Sequence, residues 1–255
     1  MLKATARALS IAALLLISTI PPASAAPPAG GPENLLITYR SKPADRPAFR
    51  DYLEHVELAR LKAWKDQGVL KDFQILFNPY NDVDTWDAML VVRFPSYADV
   101  GRWQEIERTQ PGGLDARGLA LGSPVQTYSA DLTWTEGGWG DASNIFYVIP
   151  YEYNSEAEYE SYVDGYVLPQ VRGWMKDGAL TGYRIYMNRD PVGRRWDSLF
   201  IFRYKDLEAF GRREAVVAKV RAGLVDDPKW KQLNDNKRNI RTESDNTIAV
   251  SLSSH

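Results

Sequence analysis

Residues 86–94 read WDAMLVVRF, and residues 196–204 read WDSLFIFRY. Both segments begin with a Trp-Asp pair, carry four large apolar residues in succession and have an arginine near the end. A strand of an antiparallel sheet with one face in water alternates apolar and polar residues. An unbroken apolar run of this length therefore predicts strands that are covered on both faces.

The similarity extends well beyond these segments at a constant offset of 110 residues. When residues 35–114 are aligned with residues 145–224 without a gap, 14 of the 80 positions are identical. Self-similarity at a fixed offset predicts one structural unit that occurs twice in the chain. The identical pairs include Tyr52/Tyr162, Trp64/Trp174, Gly68/Gly178, Asn78/Asn188, Trp86/Trp196, Asp87/Asp197 and Arg93/Arg203.

Each half is predicted to contain the same elements, and the first helix of each half ends at a glycine, a favoured left-handed cap. The first half has strands at Leu35–Arg40, Leu70–Asn78, Trp86–Phe94 and Val125–Trp134, with helices at Pro47–Gln67 and from Ser96. The second has strands at Ile145–Pro150, Leu180–Asn188, Trp196–Tyr204 and Thr247–Leu252, with helices at Glu156–Asp177 and from Asp206. The order β-α-β-β-α-β is the ferredoxin-like plan.

The fold class that this pattern predicts is α+β. Two tandem ferredoxin-like units, at 34–134 and 144–255, form an intrachain pseudo-dimeric α/β barrel in which each sheet covers the other. The linker at 135–143 is short, which favours packing within one chain. The alternative is two independent domains whose apolar strands meet other chains.

Leu58 and Leu168 repeat on the side of the first helices that faces away from the sheet. An exposed apolar stripe there would be unusual, so the pattern predicts a second covering of these helices. The C-terminal segment Pro228–Asn239 is one candidate. A second copy of the chain, in a homodimer through the outer helix faces, is the other.

The N-terminus has the pattern of a secretory signal. Lys3 and Arg7 are followed by an apolar core, Leu9–Ile20, and by Ala23-Ser24-Ala25, an A-x-A-type cleavage site. The sequence predicts an exported protein, periplasmic or secreted, with cleavage after Ala25. Residues 26–33, rich in Pro, Gly and Ala, are predicted to be a disordered linker.

Composition excludes several classes of function. The chain has 31 Lys+Arg and 33 Asp+Glu, a formal net charge of −2, so no basic footprint for nucleic acid is present. The apolar run at Leu9–Ile20 is shorter than the roughly 20 residues that a membrane-spanning helix needs. With no cysteine, disulfides, thiolate metal sites and cysteine nucleophiles are excluded.

The element order and the repeat resemble the dimeric α/β-barrel superfamily, in a form with two copies fused in one chain. The superfamily includes antibiotic-biosynthesis-type and heme-degrading monooxygenases, EthD-like and NIPSNAP-like proteins, and chlorite-dismutase-like heme enzymes. Locally, residues 52–60 (YLEHVELAR) are similar to the H-x-P-L segment of EthD-like proteins, with Glu57 where proline is usual. The resemblance implies oxygen chemistry in a closed apolar cavity and allows heme as a cofactor. No motif in the chain specifies a cofactor.

His55 is the candidate catalytic residue. The only other histidine is the C-terminal His255, so a multi-histidine metal site is excluded and His55 is the one plausible imidazole base. Its neighbours Asp51 and Glu54 also fit a boundary histidine paired with a carboxylate. The other interpretation places it in a pocket, as a proton shuttle or an axial heme ligand.

Polar residues at repeated strand positions are the candidate ligand-binding residues. A buried guanidinium needs a partner, so Arg93 and Arg203 reach water, pair with Asp87 or Asp197, or clamp an anionic ligand. Each Trp-Asp pair serves either packing under a helix with turn capping, or ligand contact. The second half is also rich in tyrosine, which suits a small-molecule pocket. The candidate set is Asn78, Trp86, Arg93, Arg184, Tyr186, Asn188, Trp196 and Arg203.

Three functions agree with these features. The first is an exported protein that binds a small apolar or aromatic molecule in a barrel cavity. The second, implied by the resemblance, is a cofactor-light or heme-handling monooxygenase or isomerase. The third is a structural protein whose buried arginines are paired internally.

Cleavage of the signal gives a direct prediction. Protein recovered from the exported fraction should have the intact mass of a chain that begins at Ala26, because the A-x-A site ends at Ala25. Replacing Ala23 and Ala25 with Asp should leave the uncleaved chain. A mature fraction that retains Met1 would contradict the signal.

Overall fold

The computed structural model of the chain describes residues 31–138, 144–189 and 196–252. The predicted signal at 1–25, most of the predicted linker at 26–33, residues 139–143 of the second linker, and His255 lie outside the described residues. Glu33 is described and is tied to the sheet, because its carbonyl accepts a hydrogen bond from Phe94 N at 2.8 Å.

The first half follows the predicted order with two additions. A π-helical turn at Leu53–Glu57 interrupts the first helix, and a short helix precedes the last strand. Its elements are β1 Asn34–Ser41, α1 Arg46–Tyr52, α2 Leu58–Asp66, β2 Asp72–Phe77, β3 Ala88–Arg93, α3 Val100–Glu107, α4 Ala116–Leu121 and β4 Gly122–Glu136. Two 3-10 turns, Tyr97–Asp99 and Pro111–Gly113, flank α3.

The second half has the same order and three helices before its last strands. Its elements are β5 Ile145–Tyr153, α5 Glu156–Tyr162, α6 Leu168–Asp177, β6 Leu180–Asn188, β7 Ser198–Tyr204, α7 Leu207–Gly211, α8 Arg213–Ala222, α9 Pro228–Ile240, β8 Arg241–Glu243 and β9 Thr247–Leu252. A π-helical turn at Val163–Val167 joins α5 to α6. In the part of the chain that the structure describes, no helix has the length and apolar character to cross a membrane.

All nine strands pair antiparallel in one sheet, in the order β7-β6-β4-β1-β3-β2-β9-β5-β8. Because β7 also pairs with β5, eight of the strands form a closed ring, and β8 extends the pairing at the end of β5. The pairs β4–β6 and β2–β9 join the first half to the second. Closure gives each strand an inner and an outer face, which accounts for the unbroken apolar runs.

The apolar residues of the ring divide between three cores. Met89 and Val91 point into the ring, while Ala88, Leu90 and Val92 face the helices. The inner core also contains Leu36, Leu76, Tyr128, Ala130, Phe146, Val148, Tyr186, Trp196, Leu199, Ile201 and Ala249. The other two cores lie between the outer face of the sheet and the helices of each half.

The strand register corrects the gap-free alignment in one place. Asp72 pairs with Arg93 and Gly182 pairs with Arg203, which preserves the offset of 110. In the first strands, however, Tyr39 is opposite Ala88 while Tyr151 is opposite Ser198, an offset of 112. The second half therefore has two fewer residues between its first strand and its first helix: β1 ends at Ser41 and α1 begins at Arg46, whereas β5 ends at Tyr153 and α5 begins at Glu156.

Local capping follows the predicted chemistry. Gly68 and Gly178, after the first helices, have φ of 69° and 82°, values that a residue without Cβ adopts at little cost. Asp206 caps α7 by accepting a hydrogen bond from Ala209 N at 2.7 Å. Both π-helical turns were missed, since no residue pattern announces them.

Helix α9 covers the outer face of the first helix in the second half. This agrees with the prediction that the C-terminal segment Pro228–Asn239 provides the second covering. Trp230 stacks on Tyr166 with ring centroids 5.0 Å apart, and its Nε1 donates to Tyr166 O at 3.2 Å. Leu168 is buried in the same core, and Leu58 is buried in the core of the first half.

Burial of Leu168 predicts that Leu168→Glu lowers the free energy of unfolding by about 3 kcal/mol or more, because a packed side chain is lost and a carboxylate is buried. Leu207→Glu is the matched control. Leu207 is 67% exposed at the first position of α7, where a carboxylate is tolerated, so the change should stay within about 0.5 kcal/mol. Equal urea midpoints for the two variants would contradict the packing.

Candidate functional site

A cavity of about 510 Å³ opens at one end of the ring. We call it the Trp cavity because Trp86 and Trp196 both line it. Its volume is in the range of small-molecule sites. The other lining residues are Thr38, Arg40, Val83, Asp84, Thr85, Met89, Val125, Gln126, Tyr128, Val148, Pro150, Leu199, Ser244, Asp245 and Thr247.

Asparagine side chains hold the two tryptophan segments in place. Asn78 Nδ2 donates to Trp86 O at 3.3 Å, and Asn188 Nδ2 donates to Trp196 O at 3.1 Å. Both asparagines therefore lie behind the cavity wall and are not among its lining residues. They support the cavity by fixing the backbone that carries the indoles.

The aspartates of the Trp-Asp pairs bond backbone amides. Asp87 Oδ2 accepts from Ser41 N at 2.8 Å, and Asp197 Oδ2 accepts from Tyr153 N at 3.0 Å. Neighbouring residues of an extended chain point to opposite sides. The two tryptophans thus face the inside of the ring, and do not pack under the helices.

Aromatic packing shapes the wall on the side of Trp196. Tyr128 and Trp196 have ring centroids 4.4 Å apart and planes tilted by 38°. The Tyr128 hydroxyl donates to Gln126 Oε1 at 2.5 Å. Trp196 is buried, whereas Trp86 is half-buried and reaches the opening.

The predicted arginines lie at the other end of the strands. Each tryptophan precedes its strand, β3 or β7, whereas Arg93 and Arg203 occur at or next to the end of it. Arg93 forms an ion pair with Glu33 at 3.5 Å, and Arg203 Nε donates to Thr181 Oγ1 at 2.8 Å. The candidate set therefore does not form one site.

Arg184 and Tyr186 are buried inside the ring. Burial lowers the pKa of Arg184, and the charges of Arg203 and Arg93 add to this effect. Burial also raises the pKa of Tyr186 well above its usual range. The arginine end is thus a crowded, positively charged interior, distinct from the Trp cavity.

His55 lies on the first π-helical turn with its side chain 69% exposed. Its Nδ1 is 3.0 Å from Asp51 O and 3.3 Å from Asp51 Oδ1, the carboxylate pairing that one interpretation expected. It lines none of the described cavities. Among the described residues, no group of His, Cys, Asp and Glu side chains could hold a metal ion.

A buried carboxyl group escaped the sequence reasoning. Glu57 is 1% exposed, and burial raises its pKa to about 7 in spite of the opposing charge of Arg60. The Tyr52 hydroxyl lies 3.0 Å from Glu57 Oε2 and 3.0 Å from Asp115 Oδ1. One sequence signal could have revealed the burial of Glu57. The residue 110 positions later is Val167, and a valine there indicates an apolar environment.

This carboxyl group does not face a cavity. A groove of about 390 Å³ nearby is lined by Arg60, Trp64, Gln110 and Asp115 among others, and Glu57 is not part of its wall. Glu57 therefore has a perturbed pKa without direct access to a ligand.

The tyrosines of the second half line a smaller cavity of about 210 Å³ between the sheet and the helices. Its wall includes Tyr147, Tyr151, Tyr162, Tyr166 and Tyr204. Arg241 lies over Tyr151, 4.6 Å from the ring centroid. This volume is below the usual range for ligand cavities, and the rings pack mainly on one another.

Solved structures share this fold. A monooxygenase-like protein of Fusobacterium nucleatum matches with a TM-score of 0.55 and 12% identity, over 87% of this chain and 94% of that chain. An anthrone oxidase-like protein matches with a TM-score of 0.51 and 10% identity, over 87% of this chain and 91% of that chain. A chlorite dismutase variant from Candidatus Nitrospira defluvii matches with a TM-score of 0.51 and 11% identity, over 88% of this chain and 92% of that chain. No family model and no curated protein matches the chain.

These neighbours establish the fold class. The chain has the mixed α+β fold of dimeric α/β-barrel proteins, with one large antiparallel sheet. Identities of 10–12% carry no activity from those proteins to this one.

The raised pKa of Glu57 predicts how stability depends on pH. The folded protein keeps the proton up to about pH 7, whereas an ordinary glutamate loses it near 4.5. The stability from this group is therefore present below pH 4.5 and is lost as pH rises through 7, by about 3 kcal/mol in total. Glu57→Gln should flatten this slope in urea unfolding at pH 5 and pH 8.

Glu54→Gln, on the same turn, is the control and should leave the slope unchanged. If the two variants keep the same slope as the parent chain, Glu57 is not the titrating group.

Proposed function

We propose that the protein binds a small aromatic or apolar molecule in the Trp cavity. The observation that carries this proposal is a 510 Å³ opening into the ring, walled by two indoles and Tyr128. Aromatic walls with a few polar groups are the usual composition of small-molecule sites. Asn78 and Asn188 contribute by holding the backbone of the tryptophans.

The second candidate is a cofactor-light monooxygenase or isomerase that uses the same cavity. Likeness to a monooxygenase-like and an anthrone oxidase-like protein favours it. The described lining residues of the cavity include no histidine, and the chain has no cysteine, so a reaction there would use groups on the substrate itself and the carboxylates at the rim. His55, if catalytic, would act at the protein surface, since its side chain is 69% exposed.

A heme-handling function is a weaker variant of the second candidate. Histidine and cysteine are common axial ligands of heme iron. His55 is the one imidazole in the described part of the chain and lies outside the cavities, and the chain has no cysteine. The described residues therefore do not fit a heme held by an imidazole or a thiolate.

Three further proposals complete this function. The protein acts after export, with residues 1–25 removed. The two halves are copies of one ferredoxin-like unit fused into a pseudo-dimer, which the matching π-helical turns at Leu53–Glu57 and Val163–Val167 support. Pairing of two chains would use the outer helix face of the first half, because α9 already covers that of the second.

Native mass spectrometry with an absorption spectrum tests the binding proposal. Protein purified from the exported fraction should carry an additional small-molecule mass, and Trp86→Ala should reduce its occupancy at least about tenfold, because an aromatic wall is removed. Trp64→Ala, on the outside of the ring, is the control for general loss of structure. A bound mass that both variants retain equally would place the ligand elsewhere, and a Soret band would favour the heme alternative.

A further inference from the structure

We propose that the Trp cavity selects flat organic cations, such as aromatic heterocycles with a quaternary or protonated nitrogen. This inference rests on the proposed binding function and specifies its ligand class. Three features of the cavity support it: the π faces of its wall, the carboxylates at its rim, and the engagement of Arg40, the one arginine among its described lining residues, by backbone carbonyls.

The wall offers negative potential from aromatic faces. Trp86, Trp196 and Tyr128 all line the cavity, and Tyr128 packs on Trp196 at 4.4 Å. The face of an aromatic ring attracts a cation, and tryptophan does so most strongly. The attraction increases when the cation leaves water, as it would on entering the ring beside the buried Trp196.

Two carboxylates stand at the rim. Asp84 and Asp245 line the opening on opposite segments, before β3 and before β9. No ion pair joins either carboxylate to another residue in the described ranges 31–138, 144–189 and 196–252. Because both side chains are exposed, they act mainly by raising the local concentration of cations, an effect that salt screens.

Arg40 is the one cationic side chain in the described wall, and its hydrogen bonds are directed at the protein. Its Nε donates to Thr85 O at 2.8 Å, and its Nη2 donates to Thr85 O at 2.5 Å and to Val83 O. A guanidinium held in this way fixes the rim loop and has fewer donors for an anionic ligand. The Tyr128 hydroxyl likewise donates to Gln126.

The charged groups left for a ligand are thus the carboxylates of Asp84 and Asp245, whose oxygens accept from a ligand N–H or face a positive nitrogen. The described wall also has neutral donors, the hydroxyls of Thr38, Ser244 and Thr247 and the amide of Gln126. An anionic aromatic molecule would meet both carboxylates and the aromatic faces, and the one described cationic group, that of Arg40, already donates to Thr85 O and Val83 O. This is the reverse of an arginine clamp for an anionic ligand, which was one of the three alternatives that the sequence left open for Arg93 and Arg203 at the other end of the ring.

Three probes of similar shape and different charge separate the effect of ligand charge on affinity from the effect of ligand size. N-methylquinolinium is the cation, 1-methylnaphthalene is its neutral isostere, and 1-naphthoate is the anion. Isothermal titration calorimetry on the full mature chain at 50 mM salt should give tighter binding of the cation than of the neutral probe, by roughly tenfold. The anion should bind least, and 500 mM salt should reduce the preference for the cation.

The variant Asp84→Asn/Asp245→Asn should lower the affinity for the cation several-fold and leave that for 1-methylnaphthalene unchanged. Asp226→Asn, an exposed carboxylate between α8 and α9, is the matched control and should change neither. Trp196→Phe should lower the affinity for the cation more than the affinity for the neutral probe. The thermal unfolding midpoint of this variant shows whether it folds.

The outcomes distinguish the two levels of the proposal. Equal affinity for the cation and the neutral probe overturns the charge preference while the binding function stands. Tighter binding of 1-naphthoate overturns it as well and assigns Arg40 the role of a clamp. No binding of any probe, together with a clean apo mass from the exported fraction, overturns both the charge preference and the binding function.

Discussion

Closure of the sheet is the constraint on which the rest of the structure depends. Two cross-half pairings, β4 with β6 and β2 with β9, turn two open sheets into one ring. An open sheet with apolar residues on both faces would leave one face in water, at a cost of roughly 25 cal/mol for each Å² of apolar surface. The ring avoids this cost because each half covers the inner face of the other. Closure also pairs the edge strands of the two sheets, and unpaired edge strands promote aggregation.

The closed ring has two chemically different ends because equivalent strands run the same way in both halves. One end of β3 and β7 carries tryptophans and the other carries arginines. The ring thus brings side chains of the same type from β3 and β7 to the same end. At the tryptophan end the result is an aromatic cavity. At the arginine end it is a set of arginines, of which Arg184 has a pKa lowered first by burial and then by the charges of Arg203 and Arg93.

The two halves differ at positions 57/167 and 55/165. Glu57 is buried beside Arg60 and Tyr52 in the first half, while Val167 takes its place in the second. The polar cluster is stabilised by hydrogen bonds from Tyr52 and Arg60, which offset part of the cost of burying the carboxyl group. His55 has Gly165 as its counterpart, and α9 covers that position with Leu233 close to the glycine. A Cβ at residue 165 would come within 2.6 Å of Leu233 Cδ1, so a larger residue there would require the Leu233 side chain to move.

The sequence by itself determined the types and the order of the predicted elements, because apolar period and glycine caps are local signals, while α4 and β8 were not predicted. The predicted spans of β6 and β9 agree with the observed ones to the residue. It also proposed Trp86 and Trp196 as ligand-binding residues, and the structure places both in the wall of one cavity. Only the tertiary structure decided that the arginines lie away from the tryptophans, that His55 points outward and that Glu57 is buried. Those properties depend on which strand ends meet in the ring and which helix covers another, and such contacts between distant residues leave no periodic trace in the chain.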